Sequence, residues 1–500
     1  MIPASVPPVT SVGAPRLTAG FAEFGRLDLR DHEEVHGDFG PLTVAELMQL
    51  AELIQLRGRG GAGFPFARKV RAVYESARAK SLPTILVVNG TEGEPASWKD
   101  KALLTRGPHL ILDGAALAAY ALDAEEIVIG VSDDNVGEGS IAAALDERRM
   151  PVPTRIQVVP HRFISGEGGA MVRGINGLPH IPPGRKVRAS DSGVGGLPTL
   201  LSNAETFAQL AIAARIGPYE YASVGTREEP GTVLLTVGGS AAQPAVVECP
   251  TGVPLKEVLR MCDAPTGQGV LTGGYHGKWI SAEAAARAEV SRKSLTEVGG
   301  TLGAGIMLPL GDDTCGIGEV ARVLQYMAGE SAGQCGPCYL GLPNVARAAA
   351  DIMTGAGGPD AVRAAVGVVR GRGACSHPDG TGRFAVSSLE TFVEDIAAHL
   401  TRDGCGRPVK GVLPLPTTGA VGSRKLAVDW SRCDGHGLCA VVLPEMIKLD
   451  GNHFPAWPDI PVPPWLEFQA RKAVGMCPAL ALRLTDGTPH GSAAPTPRRR

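Results

Sequence analysis

Six of the ten cysteines in this 500-residue chain fall into two spaced groups, and that spacing constrains the fold more than any other feature. Cys335, Cys338 and Cys375 form the first group; Cys433, Cys439 and Cys477 form the second. A short turn carrying two cysteines presents two thiolates to one metal centre, and thiolates suit soft metals. A distant cysteine must then fold back onto each turn, so two separate metal-bearing modules are expected in the C-terminal part of the chain. Cys249, Cys262, Cys315 and Cys405 stand alone and are read as small buried hydrophobes or inert thiols. Disulfides are not expected, because the cytosol keeps thiols reduced.

Length sets a prior of roughly three or four domains. Hydrophobic residues at 44% and charged residues at 20% suit globular cores. A net charge of -3, with its only basic run at Arg498, Arg499 and Arg500, argues against a nucleic-acid partner. The start, MIPASVPPVT, has neither the basic residues nor the apolar core of a signal peptide. No apolar stretch approaches the ~20 residues of a membrane span; the Ala-rich run at 115–122 is short and predicts a core helix. The expected location is cytoplasmic, with docking at the periphery of a membrane complex left open.

Residues 1–40 are rich in Gly, Pro and charge and are expected to form an irregular lead-in. Residues 43–56 carry apolar side chains at helical spacing and end in a glycine-dense loop. β-rich runs at 83–90, 125–131 and 155–159 alternate with helical stretches, which predicts an α/β domain with a largely parallel sheet over 41–225. Residues 228–300 show a hairpin, a helix and a strand, the order of a β-grasp-like module. Residues 305–400 hold four helical patterns, EVARVLQYMAG, VARAAADIM, AVRAAVGVVRG and SLETFVEDIAAHL, expected to form a bundle around the first cysteine group. Residues 401–424 are read as a linker, 425–485 as a compact unit around the second cysteine group, and 486–500 as a tail.

Four loops carry candidate chemistry. Gly58-Arg59-Gly60-Gly61-Ala62-Gly63-Phe64-Pro65 satisfies G-x-G-x-x-G by letter, but a helix precedes it where a dinucleotide fingerprint requires a strand. Its glycines still let backbone N–H groups approach a phosphate or a planar ring, with Arg59 and Lys69 as neighbouring cations; the alternative is a plain tight turn. Asn89-Gly90-Thr91-Glu92-Gly93-Glu94-Pro95 follows a predicted strand, the end at which α/β sheets place ligands. Glu92 and Glu94 are there either acceptors for ribose and amide protons or solvated turn residues. Loops at 163–169 and 200–206 repeat the theme.

In order and content these loops resemble the NADH-binding flavoprotein subunit of respiratory complex I and its relatives in hydrogenases and formate dehydrogenases, over roughly residues 40–400. In that family LRGRGGAGFP, an Asn-Ala-Asp-Glu-x-Glu-Pro loop, a Gly-Glu-Glu loop and an Asn-Asn-Val-Glu-Thr loop surround FMN and NADH. The resemblance implies cofactor contacts from Gly58, Arg59, Gly60, Gly61, Gly63, Lys69, Asn89, Glu92, Gly166, Glu167 and Asn203. It also implies that Phe64 lies beside the nicotinamide and that Glu94 holds the dinucleotide. Thr91, Gly168 and Ser202 depart from the family's Asp, Glu and Asn, and Ala72 and Arg188 stand where it has aromatics. The flavin loops are thus more complete than the nicotinamide walls.

The family's bundle holds a [4Fe-4S] cluster through Ser-Cys-Gly-Gln-Cys-x-Pro-Cys and a distant cysteine. Residues 331–338 and Cys375 match, except that Ala332 replaces the first cysteine. Three thiolates hold either a [3Fe-4S] cluster or a [4Fe-4S] cluster with an outside ligand; a bundle that has lost its cluster is the alternative, and Cys315 is a candidate replacement ligand. Cys433-Asp434-Gly435-His436-Gly437-Leu438-Cys439 with Cys477-Pro478 resembles the single-cluster ferredoxins that serve bacterial cytochromes P450. With His436 at the middle ligand position, that site implies [3Fe-4S], or [4Fe-4S] with imidazole on one iron; zinc or a bare loop are the alternatives.

The expected fold class is therefore multidomain α/β: an α/β flavin-binding domain, a β-grasp-like module, a four-helix iron–sulfur bundle and a C-terminal α+β ferredoxin. The expected activity is an NAD(P)H-dependent FMN oxidoreductase that feeds iron–sulfur clusters and its own fused ferredoxin. The partners implied are a nicotinamide dinucleotide and a redox protein, whether a ferredoxin acceptor, a cytochrome P450 or a complex subunit. Two other readings stay open: an electron-transfer module without hydride chemistry, and a structural platform for the ferredoxin.

Overall fold

Val, Ile and Leu run almost unbroken through TILVVN and IVIGV, and such runs are buried on both faces when helices cover a parallel sheet. In the computed structural model these segments lie side by side in a four-stranded, all-parallel sheet. Its order is Thr154–Val159, Ala124–Ser132, Thr84–Asn89, Thr199–Asn203. Asn89 pairs in register with Asn203, so the loops that follow both strands leave from one edge. The structure describes residues 6–38, 40–134, 136–184, 187–401, 404–416, 424–444, 446–456, 462 and 466–486. The expected basic tail and residues 417–423 of the expected linker lie outside the described residues.

The chain divides into two compact units, Met1–Leu415 and Pro416–Arg500. In the first, helices Val44–Leu53, Phe66–Lys80, Pro108–Ala121 and Ala204–Tyr221 pack into one core with the parallel sheet. The glycine loop lies between the first two of these helices, not behind a strand. A second, six-stranded sheet is built on the hairpin Thr232–Val237 and Ala245–Pro250. Ile306–Leu310 inserts parallel to the first hairpin strand, and Gly269–Thr272 pairs antiparallel to it. Val9–Ser11 adds a strand beside Ala245–Pro250, and Leu29–His36 is a helix capped by Asp28, so the lead-in is not irregular throughout. Neither was visible beforehand, because VTS is too short to alternate and the helix buries only His32.

The bundle comprises Gly316–Gly329, Leu342–Met353, Pro359–Val369 and His377–Thr391, followed by Val393–Thr401. The pattern SLETFVEDIAAHL, expected as one helix, breaks at Phe392. There the Phe392 ring packs edge-on against Trp279 at 4.8 Å, and the Asp395 carboxylate accepts from Gly316 N at 2.8 Å. Tertiary contacts override the helical period at that point. The second unit pairs Arg424–Val428 antiparallel to Leu482–Asp486 and adds helices Leu438–Val442 and Glu467–Gly475 around Leu426, Leu443, Ile447 and Ala470. No helix among the described residues is long and apolar enough to cross a membrane.

Gly114 permits the tightest helix crossing in the first core: a Cβ there would lie 1.9 Å from Phe207 O on Ala204–Tyr221. Gly114→Ala is therefore expected to destabilise the chain by at least about 1–3 kcal/mol, the scale of overpacking. Gly139→Ala, on an open helix face, is the control and is expected to leave stability unchanged or slightly raised. Thermal unfolding of both variants checks this, and equal midpoints would contradict the packing described.

Candidate flavin and cluster sites

Three strand-end loops and the glycine loop meet at the shared edge of the parallel sheet. Asn89 Nδ2 donates to Gly166 O at 2.9 Å, and Asn203 Nδ2 approaches Asn89 O at 3.4 Å. Gly60 lies against Asn203, where a Cβ would come within 3.3 Å of the asparagine's own Cβ. Lys69 reaches from Phe66–Lys80 to Leu201 O at 2.7 Å, and burial lowers its pKa to about 8. Gly60, Lys69, Asn89, Gly166 and Asn203 are thus brought together. Glu167 caps Gly168–Ile175, accepting from Ala170 N at 3.0 Å, and burial raises its pKa.

The glycine loop is closed by Gly58 N donating to Phe64 O at 2.9 Å. Gly61 and Gly63 adopt φ of 112° and 62°, which a side chain would strain. Arg292, absent from the sequence reading, holds the loop by donating to Gly58 O at 3.3 Å and Gly61 O at 3.4 Å. Phe64 is 48% exposed and free to meet a ligand. Arg59, expected to neutralise a phosphate, turns its guanidinium inward to Thr232 O at 3.3 Å and Glu205 at 3.8 Å. Of those two cations, Lys69 is the one that reaches the strand Thr199–Asn203.

The two glutamates of the acidic loop differ. Glu92 is buried and accepts from Ser97 Oγ, Asp100 N at 3.2 Å and Lys101 N at 3.0 Å, so it anchors the start of Lys99–Arg106. Its carboxylate is thus already engaged with the start of that helix. Glu94 accepts from Tyr275 N at 2.5 Å. Burial raises its pKa to about 8, with Glu92 adding to the shift against the Tyr275 hydrogen bond. Beneath them Lys99 Nζ lies 2.7 Å from Asp100, 3.0 Å from Glu205 and 3.2 Å from Asn203 Oδ1. Burial opposes its charge, but Asp100 and Glu205 outweigh that and hold its pKa above the ordinary lysine range.

In the bundle, Cys335 and Cys338 face each other across a π-turn, Pro337–Gly341. Their hydrogen bond lowers the Cys335 pKa to about 5 and raises that of Cys338, and Cys375 lies close enough to add to the rise. Ala332 is buried with Ile164 and Ile181, against Cys375. Cys315 does not substitute for Ala332, because it sits with His399 and Cys405 instead. In the C-terminal unit, burial raises the Cys439 pKa, and Cys433 and Cys477 add to the rise. Gly435 and Gly437 take φ of 67° and 72°, and His436 between them is exposed.

Residues 52–212 match the Nuo51 FMN-binding domain, residues 318–399 the NADH-ubiquinone oxidoreductase-F iron-sulfur binding region, and residues 426–484 the 4Fe-4S single cluster domain. The chain carries in succession a complex I-type FMN-binding domain, an iron–sulfur binding region and a single-cluster ferredoxin domain. It is an FMN- and iron–sulfur-containing oxidoreductase of the NADH dehydrogenase type. The flavoprotein is 27% identical to the F 2 subunit of NADH-quinone oxidoreductase from Rhizobium meliloti (strain 1021) over 388 residues, spanning 73% of this chain and 91% of that one. It is 24% identical to the HndC subunit of the NADP-reducing hydrogenase from Solidesulfovibrio fructosivorans over 425 residues, spanning 81% and 84%. An air-oxidized NAD+-reducing [NiFe]-hydrogenase superposes with a TM-score of 0.67 at 25% identity, covering 81% of this chain and 70% of that chain.

The residues present fit both kinds of group. Ser165 Oγ and Ser202 Oγ are buried without a hydrogen-bond partner beside Gly166 and Asn203, polar atoms that a bound flavin would satisfy. The bundle of the flavoprotein keeps three thiols and closes the fourth corner with a methyl group. Ala332→Cys should therefore convert a three-thiolate cluster toward a stable [4Fe-4S] signature, read by iron count and EPR; unchanged iron and EPR would remove the bundle as a cluster site. For Glu94, the raised folded pKa means the folded state binds the extra proton between its ordinary 4.5 and about 8. Glu94's contribution to stability is thus full below 4.5 and falls as pH rises to about 8, and Glu94→Gln should flatten that part of the melting profile.

Proposed function

We propose that this chain oxidises a reduced nicotinamide dinucleotide at FMN and passes the electrons singly to a three-thiolate cluster in the bundle and to the cluster of its own ferredoxin. The observation that carries this reading is the meeting of Gly60, Lys69, Asn89, Gly166 and Asn203 at one sheet edge. The proposed modules are 41–225 for flavin and dinucleotide, 228–300 for the β-grasp-like module, 305–400 for the bundle and 425–485 for the ferredoxin. When bound, FMN supplies the exchange between two-electron hydride chemistry and one-electron cluster chemistry.

The chain's own residues bind and orient. Backbone at Gly58, Gly60, Gly61 and Gly63 would hold the flavin, Lys69 would neutralise its phosphate, and Asn89, donating to the Gly166 carbonyl, fixes the neighbouring loop. Asn203 is held in one orientation by Lys99 and Asp100, the latter accepting from its Nδ2 at 2.6 Å. Phe64 covers the nicotinamide side. Glu94, protonated up to about pH 8, meets the dinucleotide as a neutral group. The buried apolar surround of Ala332 disfavours a water ligand, which supports [3Fe-4S] at Cys335, Cys338 and Cys375. At the ferredoxin, Cys433, Cys439 and Cys477 ligate, and exposed His436 is proposed as the outside ligand of a [4Fe-4S] form. Both named relatives are subunits, so the final acceptor is proposed to be a separate redox protein.

Anaerobic addition of NADH or NADPH to the holoprotein tests the reading by bleaching of the flavin band. Lys69→Met should weaken FMN binding about 10-fold or more, the worth of one charge-assisted hydrogen bond. Flavin that stays oxidised with both nucleotides would leave an electron-transfer module without hydride chemistry.

A further inference from the structure

The strand Ile306–Leu310 enters the bundle through a turn at Asp312, Asp313 and Thr314, and Cys315 is the cap of the first bundle helix. Its Sγ accepts from Gly318 N at 3.3 Å. Beside it stand two residues that neither cluster group uses. Cys315 Sγ lies 3.3 Å from His399 Nε2, and the ligand atoms of Cys315, His399 and Cys405 all fall within 4.8 Å of one another. Among the described residues no other trio of His, Cys or carboxylate ligand atoms is drawn so close.

We propose that Cys315, His399 and Cys405 form a mononuclear zinc site that clamps the segment leaving the bundle. Zinc–sulfur and zinc–nitrogen bonds of about 2.3 and 2.0 Å give a tetrahedral sulfur-to-nitrogen edge of about 3.5 Å, close to the spacing seen. His399 Nδ1 lies 3.2 Å from Met353 O. Donation to that carbonyl fixes the tautomer and turns the Nε2 lone pair to the sulfur, the usual support of a metal-bound imidazole. Soft thiolates exclude magnesium and calcium as the natural occupant. On binding, Zn(II) displaces one proton from each thiol, and the two thiolates balance its charge. Cys315 is fully buried while His399 and Cys405 are half-buried, so the fourth position opens outward to water.

The clamp acts on residues already pinned across the helix start. Cys315 N donates to Pro408 O at 2.9 Å, Gly411 N to Glu319 Oε1 at 2.6 Å, and Tyr275 Oη to Pro414 O at 2.5 Å. Arg407 pairs with Asp395, which itself caps the same helix. The metal would fix Cys405 at the head of this strap.

Zinc, iron and flavin are counted in full-length holoprotein purified anaerobically, and zinc X-ray absorption reads the ligands. One zinc per chain with two sulfur and two nitrogen or oxygen neighbours is expected. His399→Ala and Cys405→Ser should each lower zinc at least tenfold with iron and flavin unchanged, whereas Cys433→Ser should lower iron and spare zinc. Absence of zinc, a shell of three or four sulfurs, zinc retained in both variants, or a Cys315–Cys405 disulfide in the anaerobic protein would each overturn the proposal. The absorption measurement on the unmutated chain decides even where a variant fails to fold.

Discussion

The buried ammonium of Lys99 is the contact on which the flavin edge depends. It joins Asp100 at the start of one helix, Asn203 at the end of a sheet strand and Glu205 on the helix that follows. Glu205 in turn lies near Arg59 of the glycine loop and accepts from Leu234 N of the second sheet at 3.2 Å. Buried charges are costly unless paired and hydrogen-bonded, and breaking such a pair costs about 3–5 kcal/mol. The network therefore specifies geometry more than it adds stability. It locks Asn203 in one rotamer, and Asn203 sets the distance to Gly60.

The same logic explains why the glycine loop lacks a strand before it. A loop behind a strand is positioned by the sheet itself. This one begins at the end of a helix and closes on its own backbone, so it needs an outside hold. Arg292 supplies that from the second sheet's side, its guanidinium filling the space that a side chain at Gly63 would occupy. The segment that carries the second sheet is thus part of the flavin site's scaffold as well as a neighbour of the bundle.

Much of this was legible in the chain. Unbroken apolar runs imply a covered parallel sheet, and the polar loops singled out in the chain do meet at that sheet's edge. What was hidden depends on distance in sequence. Arg292 stands 231 residues from the Gly61 carbonyl it serves, and nothing local distinguishes it from a surface arginine. Lys99 and Asp100 sit in a charged stretch that resembles a solvated helix start, yet both are buried. Cys315 and His399 are 84 residues apart, so no short motif links them; Cys405 looked inert, and Cys315 suggested itself only as a stand-in at the bundle's cluster group. The residues best read in advance were those whose partners are neighbours in the chain or repeat a known loop.

The strap after the bundle changes how the ferredoxin is tied on. Residues 401–424 look like one linker by composition, but Leu413 is fully buried and the backbone from 408 to 414 is hydrogen-bonded to the bundle's first helix and to Tyr275. This pinned segment runs to the end of the first unit at Leu415. Short linkers hold a joined module at an effective concentration of roughly millimolar, and that value falls as the linker lengthens. Under the proposed function, pinning residues 404–415 shortens the stretch of chain that can act as a tether, and a shorter tether favours the chain's own ferredoxin over a diffusing acceptor.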